Sequence, residues 1–260
     1  MIGVACPVFC SRPFPEMAEA IAEHFDMWEV LSEGMHCLDL VREELVRARD
    51  TLGLRFQVHA PMSDVNVGSV YEPMRTAAVD EVTHVMGLCR ALDIDVVTVH
   101  PGFVNGIAFL DRPKALERTR VSVRRLAEVA EENGVVMALE NLPANINATC
   151  TSAQDLLYVL EGTSASVCFD VGHANTSGEV DAMLRHVARF RNVHVHNNDG
   201  TWDQHNVIDQ GTADVGKVVS ALRGSYSGNI VIESTDLGTG VQSKAILERL
   251  LDPGPAPQAL

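Results

Sequence analysis

Apolar residues recur along the chain in eight short runs, and the stretches between them carry helical spacing. The runs are Ile2 to Cys6, Met27 to Leu31, Leu54 to His59, Asp95 to His100, Val135 to Glu140, Val167 to Asp170, Asn192 to His196 and Asn229 to Glu233. Each has the length of a strand, and none approaches the roughly 20 apolar residues of a membrane span. Between them, Pro15 to Phe25 opens with proline and glutamate in its first turn. Lys114 to Asn133 places Leu116, Val123, Leu126 and Val129 at helical intervals before Asn133-Gly134 stops it. A strand and a helix repeated eight times, at about 32 residues per unit, predict an α/β fold in one domain, a (β/α)8 TIM barrel. The barrel is expected over residues 1–251, and the proline-rich tail 252–260, which cannot continue a helix, is expected to be disordered.

The informative regularity lies at the ends of these runs. Six in succession finish on a histidine or an acid: Val58-His59-Ala60-Pro61, Val99-His100-Pro101-Gly102, Leu139-Glu140-Asn141, Phe169-Asp170-Val171-Gly172-His173, Val195-His196-Asn197-Asn198-Asp199 and Ile232-Glu233-Ser234. In a barrel of parallel strands such residues converge on the C-terminal mouth, where this architecture places its chemistry. With Asp203 and His205 from the loop after the seventh run, nine ligand-type residues face one opening: His59, His100, Glu140, Asp170, His173, His196, Asp203, His205 and Glu233. Taken singly, each histidine has an ordinary alternative as a hydrogen-bonded packing residue. Taken together, three acids at strand ends with no lysine or arginine among them need a cation to hold them, because an unpaired buried charge costs several kcal/mol. Imidazole and carboxylate are donors that zinc or manganese accepts, and one to three ions are expected. His194, two residues deeper on the same strand face as His196, is expected to pack in the core or behind the ligands. His24, His36, His84 and His186 are expected on helices or early loops with surface or packing roles.

Charge and composition narrow the partners. Hydrophobic residues make up 46% and charged residues 21% of the chain, the balance of a globular domain with a large core. The net charge of −15 repels polyphosphate backbones, and only three lysines, Lys114, Lys217 and Lys244, are present, so nucleic acid is the less expected partner. The N-terminal residues show no basic region followed by an apolar segment, and six scattered cysteines form no CxxC pair. A cytoplasmic protein with reduced thiols and no membrane association is expected. Oligomeric state is not legible.

In order, the motifs His-Ala-Pro, His-Pro-Gly, Glu-Asn, Asp-x-x-His, the histidine–aspartate loop, Asp-x-His and a final glutamate resemble the xylose-isomerase-like barrel superfamily over about Val58 to Glu233. That superfamily holds sugar and sugar-phosphate isomerases and epimerases together with endonuclease IV. The endonuclease resemblance implies a three-zinc cluster on all nine residues above. The isomerase and epimerase resemblance implies one metal on Glu140, Asp170, His196 and Glu233. Two departures weigh against a DNA-facing loop: the segment from His196 to Asp203 is short, and Asp209-Gln210-Gly211 stands where endonuclease IV has Gly-x-Gly. The segment from Asp64 to Arg75 also resembles the sugar-isomerase members.

The first expectation is therefore a metal-dependent isomerase or epimerase of a sugar or sugar phosphate, moving a proton through an enediolate held by the metal. Glu140 and Glu233, three strands apart across the mouth, would exchange the proton, with His173 beside them. His59, His100 and Arg75 are candidate substrate contacts. The alternatives are an endonuclease IV-like AP endonuclease, another metal-dependent hydrolase or lyase, and a barrel that binds metal or ligand without turnover. Other classes fall away. Gly211 to Lys217 has P-loop spacing, but Val218 stands where serine or threonine must bind magnesium. No strand ends in lysine for a Schiff base, and neither GxGxxG after a strand nor Gly-x-Ser-x-Gly occurs.

Overall fold

Every apolar run forms a strand. In the computed structural model, which describes residues 1–252, the strands are β1 (Ile2–Ala5), β2 (Met27–Leu31), β3 (Arg55–His59), β4 (Val96–Val99), β5 (Val136–Glu140), β6 (Ser166–Asp170), β7 (Phe190–Val195) and β8 (Asn229–Glu233). All pair in parallel in chain order, and β8 pairs with β1, so the sheet closes into a barrel. The tail expected to be disordered lies, apart from Asp252, outside the described residues. Against the expected ends, His100 and His196 fall one residue past β4 and β7, at the first position of the following loops.

Among the described residues nine α-helices follow the strands: α1 (Phe14–Ala22), α2 (Leu38–Leu52), α3 (Glu72–Ala91), α4 (Arg112–Asn133), α5 (Ala153–Leu160), α6 (Val171–Ser177), α7 (Val180–Leu184), α8 (Val215–Leu222) and α9 (Leu237–Leu251), of which the first eight connect successive strands. Their boundaries follow local chemistry. Asp111, Ser152, Asp170, Asp214 and Asp236 each cap the helix that follows by accepting a backbone N–H. Gly53, Gly134 and Gly178 end α2, α4 and α6 in left-handed conformation.

The period-2 alternation of the strands sorts the interior into two layers. One set of side chains, including Val30, Val58, Val97, Leu139, Phe169, Val193 and Ile232, packs outward into a single core with Ile21, Leu45, Met86, Leu126 and Leu156 of the helices. Each such burial stabilises by about 1.5–3 kcal/mol, and this layer holds the barrel together. The other set points into the barrel and is largely polar: Glu29, Gln57, Thr98, Asn192 and His194 are all buried there. Among the described residues two small apolar clusters share that space, Ala5 with Met27 and Val231, and Val96 with Ala138 and Cys168. Among the described residues no helix is long and apolar enough to cross a membrane. All six cysteines are free thiols, four of them buried.

Candidate metal centre

The strand ends and two loops bring all nine expected ligand residues to the C-terminal mouth of the barrel. Glu140, fully buried at the end of β5, is the hub. Its Oε2 lies 3.2 Å from His59 Nε2 and 3.2 Å from His100 Nε2. Its Oε1 lies 3.1 Å from His194 Nδ1 and 3.4 Å from His173 Nδ1. Asp203 is a second hub, with His173 Nε2 at 3.2 Å, His205 Nε2 at 3.0 Å and His196 Nε2 at 3.3 Å. His196 Nε2 is also 3.2 Å from Asp170 Oδ1. Glu233, at the end of β8, reaches His194 Nδ1 at 3.0 Å and His205 Nδ1 at 3.7 Å. Glu140 and Glu233 were expected to stand on opposite sides of the mouth. Their strands do, but their carboxylates converge on the one imidazole of His194.

Backbone contacts aim these side chains. His59 Nδ1 is 2.8 Å from the carbonyl of Ala60, and His173 Nδ1 is 2.9 Å from that of Asn141, so each Nδ1–H donates there and Nε2 is turned toward the carboxylates. Asn141 accepts the Asp170 N–H and donates to the Asp170 carbonyl, both at 2.9 Å, which locks the end of β5 to that of β6. The loop carrying Asp203 and His205 is clasped at its base by two backbone bonds between Asn197 and Asn206. His205 takes φ of 51°, a left-handed conformation that costs a non-glycine residue on the order of 1 kcal/mol or more and is held where the surrounding loop demands it. Gly172 makes room for the neighbouring ring: a Cβ there would come within 2.0 Å of the His196 imidazole.

The donor set fits a divalent cation. Ligand atoms of four overlapping groups lie within 4.8 Å of one another: His173, His196, His205 and Glu233; His59, His100 and Glu140; Glu140, Asp170, His194 and Glu233; and Glu140, Cys168 and His194. His100 Nδ1, Asp170 Oδ2, both nitrogens of His196, Asp203 Oδ1 and His205 Nδ1 are buried with no hydrogen-bond partner, although buried polar atoms are almost always paired. Electrostatics keeps the acids ionised. Burial pushes the carboxyls of Glu140 and Glu233 up, but His194 with the other imidazoles outweighs it and holds both below the ordinary carboxylate range. Burial works in the same sense on Asp203 and is overcome by His173 and His205. Burial alone dominates at His100, whose imidazole is kept neutral, the form a metal takes.

A cavity of about 220 Å³ opens beside these groups, lined by His59, His100, Glu140, His173, Asp203, His205 and Glu233 and, facing them, by Ala5, Cys6, Pro7, Leu31 and Met62. Glu29 reaches its floor, and no lysine or arginine lines it. Arg75, a candidate substrate contact from the sequence, does not reach it. Its guanidinium is spent on Glu72, at 3.1 Å through Nε, and on Ser122 at 2.8 Å, which tie α3 to α4. Sequence reasoning placed His194 behind the ligands, whereas here its Nδ1 faces Glu140 and Glu233 directly. It gave Glu29 no role, since a lone acid in Met27-Trp28-Glu29-Val30-Leu31 carries no motif. The one available signal was its inward register on a predicted strand, where a charge needs a partner.

A family model described as xylose isomerase-like TIM barrel matches residues 18–252. The chain is 31% identical to the uncharacterized protein MJ1311 of Methanocaldococcus jannaschii, covering 96% of this chain and 89% of that one. Its structure superposes with a TM-score of 0.90 on that of a D-tagatose 3-epimerase-like protein, 30% identical and with 97% of each chain covered. It superposes with a TM-score of 0.77 on an IOLI protein with a binding zinc atom, 15% identical, covering 97% of this chain and 98% of that one.

Proposed function

The chain belongs to the xylose isomerase-like TIM barrel family, and from that premise we propose that it is a divalent-metal-dependent sugar isomerase or epimerase. The observation that carries the reading is the meeting of Glu140 and Glu233 at one buried point beside a cavity of about 220 Å³. Similarity to a D-tagatose 3-epimerase-like protein points to the same substrate class. Glu140, Asp170, Glu233 and either His194 or His196 would hold the core ion, zinc or manganese. His173, His196, Asp203 and His205 have the donors for a further ion, as do His59 and His100 with Glu140. A bound divalent ion would supply Lewis-acid polarisation of a sugar carbonyl and charge to stabilise the oxygen anion that develops beside it.

The chain's own residues account for the rest. Glu140 and Glu233 are both held ionised, so either accepts a proton from the carbon next to the carbonyl. Because they arrive from β5 and β8, one takes the proton while the other delivers to the opposite face a proton that it has first received from His173 or from solvent, and inversion or isomerisation at that carbon requires both transfers. His59, His100 and His173 line the cavity and meet sugar oxygens, and His173 also serves as a proton donor to the oxygen that gains charge. The apolar wall of Ala5, Pro7, Leu31 and Met62 excludes water and faces the carbon skeleton. The absence of lysine and arginine from the lining favours an uncharged sugar over its phosphate.

One observation favours a second reading. The donors suffice for more than one ion, as metal-assisted phosphodiester hydrolysis uses, and the AP endonuclease alternative rests on that. The cavity without basic residues and the net charge of −15 oppose it. The experiment is incubation of the metal-loaded protein with ketohexoses in deuterated water. Deuterium entering at the carbon beside the carbonyl supports the proposal. No incorporation, together with nicking of an abasic-site duplex, defeats it. A protein that binds the ion and sugar with neither activity is a non-catalytic barrel.

A further inference from the structure

The loop between β7 and α8 carries Asp203 and His205, and neutral hydrogen bonds hold it against α6. Asn198, near the start of that loop and fully buried, uses both ends of its amide. Its Nδ2 donates to the Gly172 carbonyl at 2.8 Å, and its Oδ1 accepts from Asn175 Nδ2 at 2.7 Å and from the Gly200 N–H at 3.0 Å. Its main chain is engaged as well. The N–H donates to Asn197 Oδ1 at 2.9 Å, and the carbonyl accepts from the Thr212 N–H at 2.8 Å. Apart from His173 with Asp203, every hydrogen bond between α6 and residues 197–206, among the described residues, is made by Asn198. Beyond it the loop is braced within itself: Asp199 accepts from the Thr201 N–H at 2.9 Å and exchanges two bonds with Gln204, at 2.7 and 3.2 Å. Gly211 lets the far side of the loop close over the same point, since a Cβ there would come within 2.2 Å of Asn197 Oδ1 and 2.4 Å of the Asn198 carbonyl.

We propose that Asn198 is a positioning residue, which docks the loop bearing Asp203 and His205 onto the helix bearing His173 and so holds this part of the metal centre assembled. The need for a dock is electrostatic. Asp203 lines a mouth that Glu140 and Glu233 also line, and like charges gathered there repel. A loop fastened through its ligand atoms alone would depend on the ion for its place. Asn198 supplies neutral bonds to backbone and amide groups, which persist whether or not an ion is bound. Asparagine suits the position because one short side chain presents both a donor and an acceptor: the Gly172 carbonyl requires the first, and Gly200 with Asn175 the second. Alanine meets neither requirement. Aspartate, with no hydrogen to give, would set an oxygen against the Gly172 carbonyl. That His173, Asp203 and His205 hold an ion is taken from the reading above, whereas the docking is tested without sugar and, in the first measurement, without metal.

The substitution is Asn198→Ala in the full-length protein. Amide hydrogen exchange of the chelator-treated protein, followed by mass spectrometry, is expected to become about 10- to 100-fold faster in residues 199–206 and to keep wild-type rates in β1 to β4. Zinc affinity, measured by competition with a chromogenic chelator, is expected to fall by about 10- to 100-fold. Asn175→Ala, at a half-buried position, removes one contact with α6 and keeps that to Gly172. Both changes are expected in the same direction and smaller, and this variant decides the matter if Asn198→Ala does not fold. Unchanged exchange in residues 199–206 would overturn the assignment. Exchange raised evenly through the barrel, with wild-type zinc affinity, would reduce Asn198 to a packing role and overturn it equally. Should the wild type bind no zinc, the metal reading fails by itself, and the exchange pattern still decides the docking.

Discussion

The two mouths of the barrel differ in the opposite sense to their size. At the N-terminal mouth, where the strands begin, a cavity of about 410 Å³ is lined by Arg49, Arg55, Arg191, Gln57, Asn229 and residues around Asp93 and Asp95. At the C-terminal mouth the cavity is about 220 Å³. Yet among the described residues no buried, unpartnered side-chain atom lines the larger one, whereas His100, Asp203, His205 and Glu29 of the smaller cavity all carry such atoms. At the N-terminal end Arg49 donates to the Leu92 carbonyl at 2.6 Å, and Asn229 donates to Gln57 at 2.9 Å. No buried polar side-chain atom there lacks a partner among the described residues, whereas several at the other end do. Volume marks where strands diverge, and unsatisfied donors and acceptors mark where a ligand belongs.

The sharpest way to test that contrast is to remove the hub. Glu140→Gln keeps the volume of the side chain and deletes both its charge and its capacity as a base. Turnover of the sugar is expected to fall by about 10²- to 10⁴-fold, read by deuterium exchange, with the circular dichroism spectrum unchanged. A variant retaining wild-type exchange would remove Glu140 from the chemistry.

Gly172→Ala ranks next. The added Cβ would fall within 2.0 Å of the His196 ring. What it strikes is the far end of a side chain, so the imidazole is displaced while the backbone stays. Bound metal per chain, measured by elemental analysis after dialysis, is expected to drop while melting shifts little. A large loss of stability with full metal content would mean that the glycine serves folding and not the site.

Metal itself should act on one end of the molecule. Zinc or manganese at about 100 times its dissociation constant is expected to stabilise the fold by about 2.7 kcal/mol, seen as a rise in melting temperature that chelator reverses. The same addition to Glu140→Gln should give a smaller rise. Equal shifts in both proteins would place the ion elsewhere.

How the site was legible follows from where its residues lie. His59, Glu140, Asp170 and Glu233 close apolar runs, and a histidine or acid at the end of such a run stands out because the alternation that precedes it fixes both strand and register. Asp203 and His205 follow by proximity. Glu29, Gln57, Thr98 and Asn192 lie mid-strand, and their meeting depends on closure of the barrel, which brings β2, β3, β4 and β7 around one axis. No local pattern encodes that convergence. Arg75 shows the reverse case: its position near the resembling segment drew it into the site, but Glu72, one helical turn away, captures the guanidinium. The eight strands were readable within a residue or two because the outward layer is uniformly apolar.

The smallest effects are expected at the N-terminal mouth, and they serve as the control. Arg55→Ala and Arg191→Ala remove two guanidiniums from the rim of the larger cavity. Both residues are exposed, and surface substitutions away from caps, cores and networks change stability by roughly 0.5 kcal/mol or less. Metal content, deuterium exchange and melting temperature are therefore expected to stay at wild-type values in each variant and in the pair. The outcome carries weight because Gln57 joins the two ends: Asn229 donates to Gln57, and Gln57 donates to Glu29 beneath the site. If stripping the rim charges lowered exchange tenfold, the field of the N-terminal mouth would reach the carboxylates through that chain of amides, and the two ends would no longer be separable. If exchange is unchanged, the polar interior acts as a scaffold fixed by its own hydrogen bonds, and the chemistry is confined to the mouth where buried donors remain unpaired.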